Sequence, residues 1–349
     1  MRRAGLQPGA RVLVRVPSWL GDAVAAEPAL RALLERVGEV SAAGPERLVR
    51  LLAETHVGLR PLPADDAASW RGHDVCVLLT NSFRSAWAAW RAGIPERVGW
   101  DRDARGWLLT RAARPAREAG RRPLGIGRRG AWPRFLPRPF ASSCAELVGL
   151  VGVAVPDARP RLEPTAGARR TARSRLEALG LADGAGYVLA NVGGRPGSAK
   201  AFPAPSWIPG LAAVRDGCGL PVVLVSGPDE AARADEVAAG SGPGVYALTP
   251  PPELSELLAL CAGARVLLTA DSGPRHLAVA AGTPVAVVCG PTDPRHTADH
   301  LERTRVVREP VECGPCHRER CPLAGGERDA CMRRIDPGEL ARAALALLR

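Results

Sequence analysis

The stretch from Arg265 to Pro294 constrains the fold more than any other part of the chain. Two short apolar runs rich in β-branched residues, Arg265–Ala270 and Val285–Cys289, flank a helical run that begins after Ser272. The pattern predicts strand, tight turn, helix, tight turn, strand: one right-handed βαβ unit. Pro274 suits a first helical turn, where no backbone N–H is needed. Asp271 and Ser272 just before it are cap candidates, and Gly273 would let a ligand approach the backbone closely. Such a helix start aims free N–H groups and the positive dipole end beyond the carboxyl edge of a parallel strand, where a phosphate or diphosphate binds well. An ordinary capped βα turn is the alternative on this stretch alone.

At 349 residues the chain has room for about two domains, each with its own core. With 46% apolar and 24% charged residues it reads as a soluble globular protein. The opening residues Met1–Pro8 lack the apolar core of a signal peptide, and no apolar run approaches a membrane span, so the expected location is the cytoplasm. A formal net charge of +11 and a pI near 10.0 point to acidic partners: a nucleotide, a phosphorylated lipid headgroup or nucleic acid. Aromatic residues make up only 4% and form no RNA-binding motif, which disfavours specific nucleic acid recognition. Nearly every cation is arginine; Lys200 is the sole lysine, a compact ammonium kept where arginine is the default.

The β-α alternation runs through both halves. In the first, Arg11–Val16 predicts a buried strand that leads through Pro17–Asp22 into a helix from Ala23 to Val37, without the GxGxxG of a dinucleotide fold. Asp22 lies at that strand's carboxyl end, as a helix N-cap or as a general base. Asp74–Thr80 predicts another strand, followed by a helix over Asn81–Trp90. Arg84 falls in its first turn, against the dipole, which suggests a ligand; plain surface is the other reading. Trp100 and Trp107 lie among Arg97, Arg102 and Arg105, as a basic surface for an anionic, sugar-bearing partner or as a core rim with stacked arginines. Residues 111–140, rich in Arg, Gly and Pro, predict a loop ordered only by a partner, and Pro156–Pro164 a stiff linker. We therefore expect domains at residues 1–160 and 161–349.

In the second half Arg169–Gly180 predicts a helix, Tyr187–Gly194 a strand running into a Gly-rich turn with Lys200, and Pro221–Pro228 a strand. A P-loop GxxxxGK[ST] is absent, which excludes that class of kinase or ATPase. Glu253–Ala264 predicts a helix that feeds the βαβ unit. Two doubly wound α/β domains facing a cleft follow from this order.

Taken together, the residues resemble the lipopolysaccharide heptosyltransferases of glycosyltransferase family 9, of the heptosyltransferase II type, from about residue 11 to 345. The matching segments, in the family's order, are Pro17–Asp22, Asn81–Ala86, Gly93–Trp100 with Arg105 downstream, the Gly-rich turn with Ala199 and Lys200 before Pro203, Asp271–Ala281, and Gly290 with Pro291. The resemblance implies a GT-B fold, two Rossmann-like domains, with the first for the acceptor and the second for the nucleotide sugar. It implies inverting transfer of heptose from ADP-L-glycero-β-D-manno-heptose to the lipopolysaccharide inner core, with no catalytic cofactor or metal. Asp22 would then be the base, and Lys200, with the amides at Ser272 and Gly273 and with His276, would stabilise the leaving diphosphate. Asp271 would orient donors or hold sugar hydroxyls, and Glu230 is a ribose ligand candidate. Arg84, Arg102 and Arg105 would engage phosphates or carboxylates of the acceptor. That acceptor is a phosphorylated, lipid-linked oligosaccharide, which would place the enzyme at the cytoplasmic face of the inner membrane. The chain departs from the family where Asn191–Gly194 stands for Pro-Gly-Ala and Ala201–Phe202 for Arg-Trp; Arg275 is a candidate to replace the cation missing at Ala201.

The tail carries a separate signal. Cys313, Cys316, Cys321 and Cys331 cluster together with His317, whereas the other five cysteines are scattered through apolar segments. A structural zinc is the leading reading, beside reduced thiols, disulfides and an iron–sulfur cluster. Asp336–Leu348 predicts a final helix, which in this fold often returns to the first domain. Two rival functions share these features: a family 9 transferase with another nucleotide sugar or acceptor, and a non-catalytic basic zinc-containing binding protein. The missing GxGxxG disfavours an oxidoreductase.

Overall fold

The computed structural model describes residues 5–116, 136–182, 184–194, 197–298 and 302–349. The chain divides into two compact units: Met1–Ser18 with Ala25–Arg159 and Arg295–Asp299, and Trp19–Val24 with Pro160–Pro294 and His300–Arg349.

The first unit is built on a parallel sheet of β1 (Val12–Arg15), β2 (Val40–Gly44), β3 (Leu59–Pro63), β4 (Val75–Leu78), β5 (Glu96–Trp100) and β6 (Arg111–Ala113), in the order β3-β2-β1-β4-β5-β6. Val12 of β1 pairs in register with Val40 and with Val75. The central strands β1 and β4 are buried on both faces, which is why they are continuous apolar runs. After β1 the single expected helix is two, α1 (Leu20–Ala25) and α2 (Glu27–Val37). Pro28, in the first turn of α2, has no N–H with which to continue the ladder from α1. Helices α3 (Glu46–Thr55), α4 (Phe83–Arg91) and α5 (Phe140–Gly149) complete the crossovers. The stretch 111–140, expected to be a loop, opens with β6; its residues 117–135 lie outside the described residues.

The second unit repeats the plan. Its parallel sheet holds β7 (Val188–Asn191), β8 (Val222–Val225), β9 (Val245–Ala247), β10 (Val266–Ala270), β11 (Val285–Val288) and β12 (Thr304–Val307), ordered β12-β11-β10-β7-β8-β9. The order reverses direction between β7 and β10, with Val188 opposite Val266, and a crevice opens at such a point beyond the carboxyl ends of the strands. Helices α6 (Ala166–Ala178), α7 (Ala204–Cys218), α8 (Ala231–Ser241), α9 (Leu254–Gly263), α10 (Gly273–Ala280), α11 (Ala330–Arg333) and α12 (Pro337–Leu348) surround it. The final helix, expected to return to the first domain, packs on α7 and against β10–β12, and Leu340, Ala341 and Ala344 enter the same core as Trp207 and Leu211. No helix among the described residues is long and apolar enough to cross a membrane. Both sheets have the doubly wound α/β architecture, and the fold is GT-B.

Candidate active site

The predicted unit from Arg265 to Pro294 forms as β10, α10 and β11, with Pro274 in the first turn of α10. Ser272 occupies the N-cap position, yet its side chain does not cap the helix. Its hydroxyl donates to the Ala270 carbonyl at 3.2 Å, accepts from Asn191 Nδ2 at 3.2 Å and lies 3.2 Å from Thr269 Oγ1. This turns the polar side chains inward to brace the ends of β7 and β10. Among the described residues Ser272 gives the first turn of α10 no side-chain acceptor, which leaves it suited to an anion. Asn191 and Thr269 gave no functional signal in the sequence; each sits in an apolar strand pattern and becomes recognisable only as a buried polar pair.

Trp19–Val24 brings Asp22 to this helix start within the second unit. Two glycines permit it. A Cβ on Gly273 would lie 2.8 Å from Leu20 Cδ2, and one on Gly21 would lie 2.6 Å from His276 Cδ2. The space expected at Gly273 for a ligand is thus taken by Leu20, and α1 rests directly on α10. Asp22 is therefore the fourth member of a group with Lys200, Asp271 and His276. Burial raises its carboxyl above the ordinary aspartate value, Lys200 draws it back, and Asp271 pushes it up again. It stands inside α1, not at a cap position.

Lys200 lies in the turn after β7, anchored where Ala199 N donates to the Glu319 carbonyl at 2.8 Å. Its Nζ is 4.0 Å from Asp271 Oδ2, and its side chain is 45% exposed, so the ammonium stays open to a ligand. Asp271 is buried; burial works to raise its carboxyl, but Arg275, then Thr292 and Lys200, outweigh this and hold it below the ordinary range. Arg275, expected as a substitute cation for a ligand, is itself buried and gives its Nη1 to Asp271 Oδ1 at 2.7 Å. Burial, reinforced by Arg275, lowers His276 to about 4, so near neutrality it is an uncharged imidazole, not a cation. Glu230 clamps two loops: Gly194 N donates to Oε1 at 2.9 Å and Gly227 N to Oε2 at 3.0 Å. Its first duty is to shape the turn between β7 and Lys200.

In the first unit, Arg84 is 80% exposed at the start of α4, whose cap forms as Ser85 N donates to Ser82 Oγ. Asp65, half-buried with its side chain 6% exposed and in the left-handed region at φ 54°, accepts from Arg84 Nε at 3.0 Å, Arg15 Nε at 2.8 Å and Ser85 Oγ at 2.7 Å. Burial alone would raise this carboxyl, yet its three partners hold it below the usual range. Asp65 carries no signal of its own in the chain, because Arg15, the end of a buried strand, is 50 residues away. Arg102 is half-buried in the loop after β5. Arg105 is fully buried and donates to the Trp100 and Ser82 carbonyls at 3.1 Å each, which braces the loop, while its Nη2 has no hydrogen-bond partner among the described residues. Trp100 is buried against Phe140, whereas Trp107 faces solvent.

The expected zinc cage is not formed. Among the described residues no three His, Cys, Asp or Glu side chains are set to hold a metal, and no cysteine is in a disulfide. Cys331 is buried, Cys316 and Cys321 are half-buried and Cys313 is exposed. They are still neighbours: burial, then Cys316, Cys313 and Cys321, push the Cys331 thiol up to about 11.

Comparison with known proteins gives a consistent result. The profile of glycosyltransferase family 9 (heptosyltransferase) matches residues 69–325. Lipopolysaccharide heptosyltransferase 2 of Escherichia coli K12 is 24% identical over 328 residues, covering 85% of this chain and 88% of that protein. The fold is shared with a glycosyl transferase family 9 structure from Veillonella parvula, at TM-score 0.76 and 19% identity over 99% of both chains. It is also shared with E. coli ADP-heptose LPS heptosyltransferase II, at TM-score 0.70 and 21% identity over 97% of this chain and 98% of that one. The matched profile spans well over half of the sequence, in the segment that carries Lys200, Asp271 and the uncapped start of α10: the chain belongs to glycosyltransferase family 9 and is a glycosyltransferase.

Proposed function

We propose that the protein transfers heptose from ADP-L-glycero-β-D-manno-heptose to the inner core of lipopolysaccharide, with inversion and without a catalytic metal. The observation that carries this reading is the grouping of Asp22, Lys200 and Asp271 at the free start of α10. A raised carboxyl is a stronger base than an ordinary one, as proton abstraction from a hydroxyl requires. Asp22 takes the proton as the acceptor oxygen bonds to the anomeric carbon. The bond from that carbon to the diphosphate breaks on the opposite face, and ADP leaves. The Lys200 ammonium and the first amides of α10 meet the charge that develops on the diphosphate. His276 assists as a neutral hydrogen-bond partner, and Asp271 keeps Lys200 in place.

In this reading the residues to about 160 serve the acceptor and those from about 161 serve the donor, with α1 lending Asp22 to the donor side. Arg84, aimed by Asp65, and Arg102 meet anionic groups of a phosphorylated, lipid-linked acceptor, while Arg105 holds their loop. Glu230 keeps the turn before Lys200 and accepts from the donor's ribose with its remaining lone pairs. The names of the relatives favour the heptose donor, and a cytoplasmic enzyme working at a membrane surface fits the acceptor.

The test is to incubate the protein with ADP-heptose and truncated core acceptors in the presence of a chelator and to follow the acceptor mass. The expected result is a gain of one heptose, and a loss of about 10²–10⁴-fold in rate for Asp22→Asn. Full activity in Asp22→Asn refutes the base; transfer only from another nucleotide sugar refutes the donor; dependence on added metal refutes the metal-free seat.

A further inference from the structure

Helix α4 is amphipathic in the reverse of the usual sense. A surface helix ordinarily turns its large apolar side chains to the core and its polar ones outward. Here Ser85, Ala86, Ala88 and Ala89 face inward, small enough to bring the helix close to the sheet. The large rings point outward: Phe83 is 43% exposed, Trp87 37% and Trp90 47%. Trp107, 65% exposed on the 3-10 turn Gly106–Leu108, joins them. The four form one packed group, with ring centroids 4.8 Å apart for Trp87 and Trp90 and 6.3 Å for Trp87 with Phe83, Trp87 with Trp107 and Phe83 with Trp107. Contiguous exposed aromatic surface of this kind marks a contact site.

The charges beside it select the partner. Arg84 and Arg91 are exposed on the same helix, which contains no Asp or Glu, in a chain of net charge +11. Arg84 is paired with Asp65, and Arg91 is the cation without such a pairing among the described residues. Tryptophan with flanking arginine on a helix that has no carboxylate of its own suits the boundary of a bilayer with anionic headgroups, where indole rings sit at the headgroup level and guanidinium groups meet phosphate. We propose that the outer face of α4, with Trp107, is a membrane-docking surface for anionic lipid. The inference deepens the lipid-linked acceptor proposed above. Docking is read without donor or acceptor, so it can fail while transfer stands, and the reverse.

The experiment is flotation of the full chain with phosphatidylcholine vesicles, with and without phosphatidylglycerol, together with tryptophan emission. The wild type is expected to float with the mixed vesicles, with a blue shift, and to release at high salt. Arg91→Gln should weaken binding about fivefold. Trp87→Ala with Trp90→Ala should weaken it by about tenfold or more, with unchanged thermal unfolding and unchanged transfer to a soluble, lipid-free acceptor. Should that pair fail to fold, Trp107→Ala, the most exposed ring, replaces it. Three results overturn the proposal: no binding of the wild type to anionic vesicles, equal binding by the tryptophan variants, or a dimer in sedimentation that these variants dissolve while vesicle binding persists.

Discussion

Replacing Arg275 by methionine isolates the energetics of the site. The guanidinium is 2% exposed and sits 2.7 Å from a carboxylate that is itself buried. At an effective dielectric of about 20, unit charges near 3 Å attract by about 6 kcal/mol. Desolvation of both groups takes back most of this, so the intact pair contributes little net stability. Removal of one partner is different, because Asp271 then remains buried with Lys200, at 4.0 Å and partly screened, as its remaining close cation. The expected loss is about 3–5 kcal/mol near pH 8. For a unit of this size that lowers the melting point by roughly 6–20 °C. The pH dependence changes sign as well. In the wild type the Asp271 carboxyl is lower when folded, so its contribution is present above the unfolded value and is lost as pH falls through the folded one. In Arg275→Met burial dominates, the carboxyl rises, and acidification from pH 8 to 5 should recover part of the loss. Hydrogen exchange of the β10 amides reports the second unit alone. A loss below about 1 kcal/mol at pH 8, or one that grows on acidification, refutes the argument.

Three further outcomes follow from the same geometry. Lys200→Met removes the charge that draws Asp22 down, so the acid limb of the transfer rate should move to higher pH, whereas Asp271→Asn should move it lower; pH profiles of kcat/KM check both. Gly273→Ala places a methyl 2.8 Å from Leu20 and should displace α1, with a stability loss of about 1–3 kcal/mol in denaturant unfolding and a larger loss of rate, since Asp22 moves with that helix. His276, lowered to about 4 in the folded chain, binds its proton preferentially when unfolded, so stability should fall as pH drops from about 6.5 to 4; His276→Gln should flatten that window in equilibrium unfolding.

The central strands were legible because burial on both faces forces apolar runs, as in Val75–Leu78 and Val266–Ala270. The strands without a distinct signal in the sequence are the short or polar ones: Leu59–Pro63 carries two prolines, Glu96–Trp100 begins with two charges, and Val40–Gly44 is mostly small residues. Short spacing revealed the α10 start and Lys200. What stayed hidden is tertiary: Asp65 meeting Arg15 and Arg84, Arg275 turning inward to Asp271, Arg105 buried under its loop, and α1 resting on two glycines. Each depends on which way a polar side chain points, and one-dimensional periodicity does not carry that.

A chain with one lysine offers a single ε-amine to acylating reagents, beside the α-amine. Because that amine stands 4.0 Å from Asp271 and is about half open, an activated ester should modify it in the empty protein. A diphosphate seated on α10 should shield it. Occupancy of the donor seat can therefore be read as one mass increment per molecule, without an engineered probe or a coupled assay.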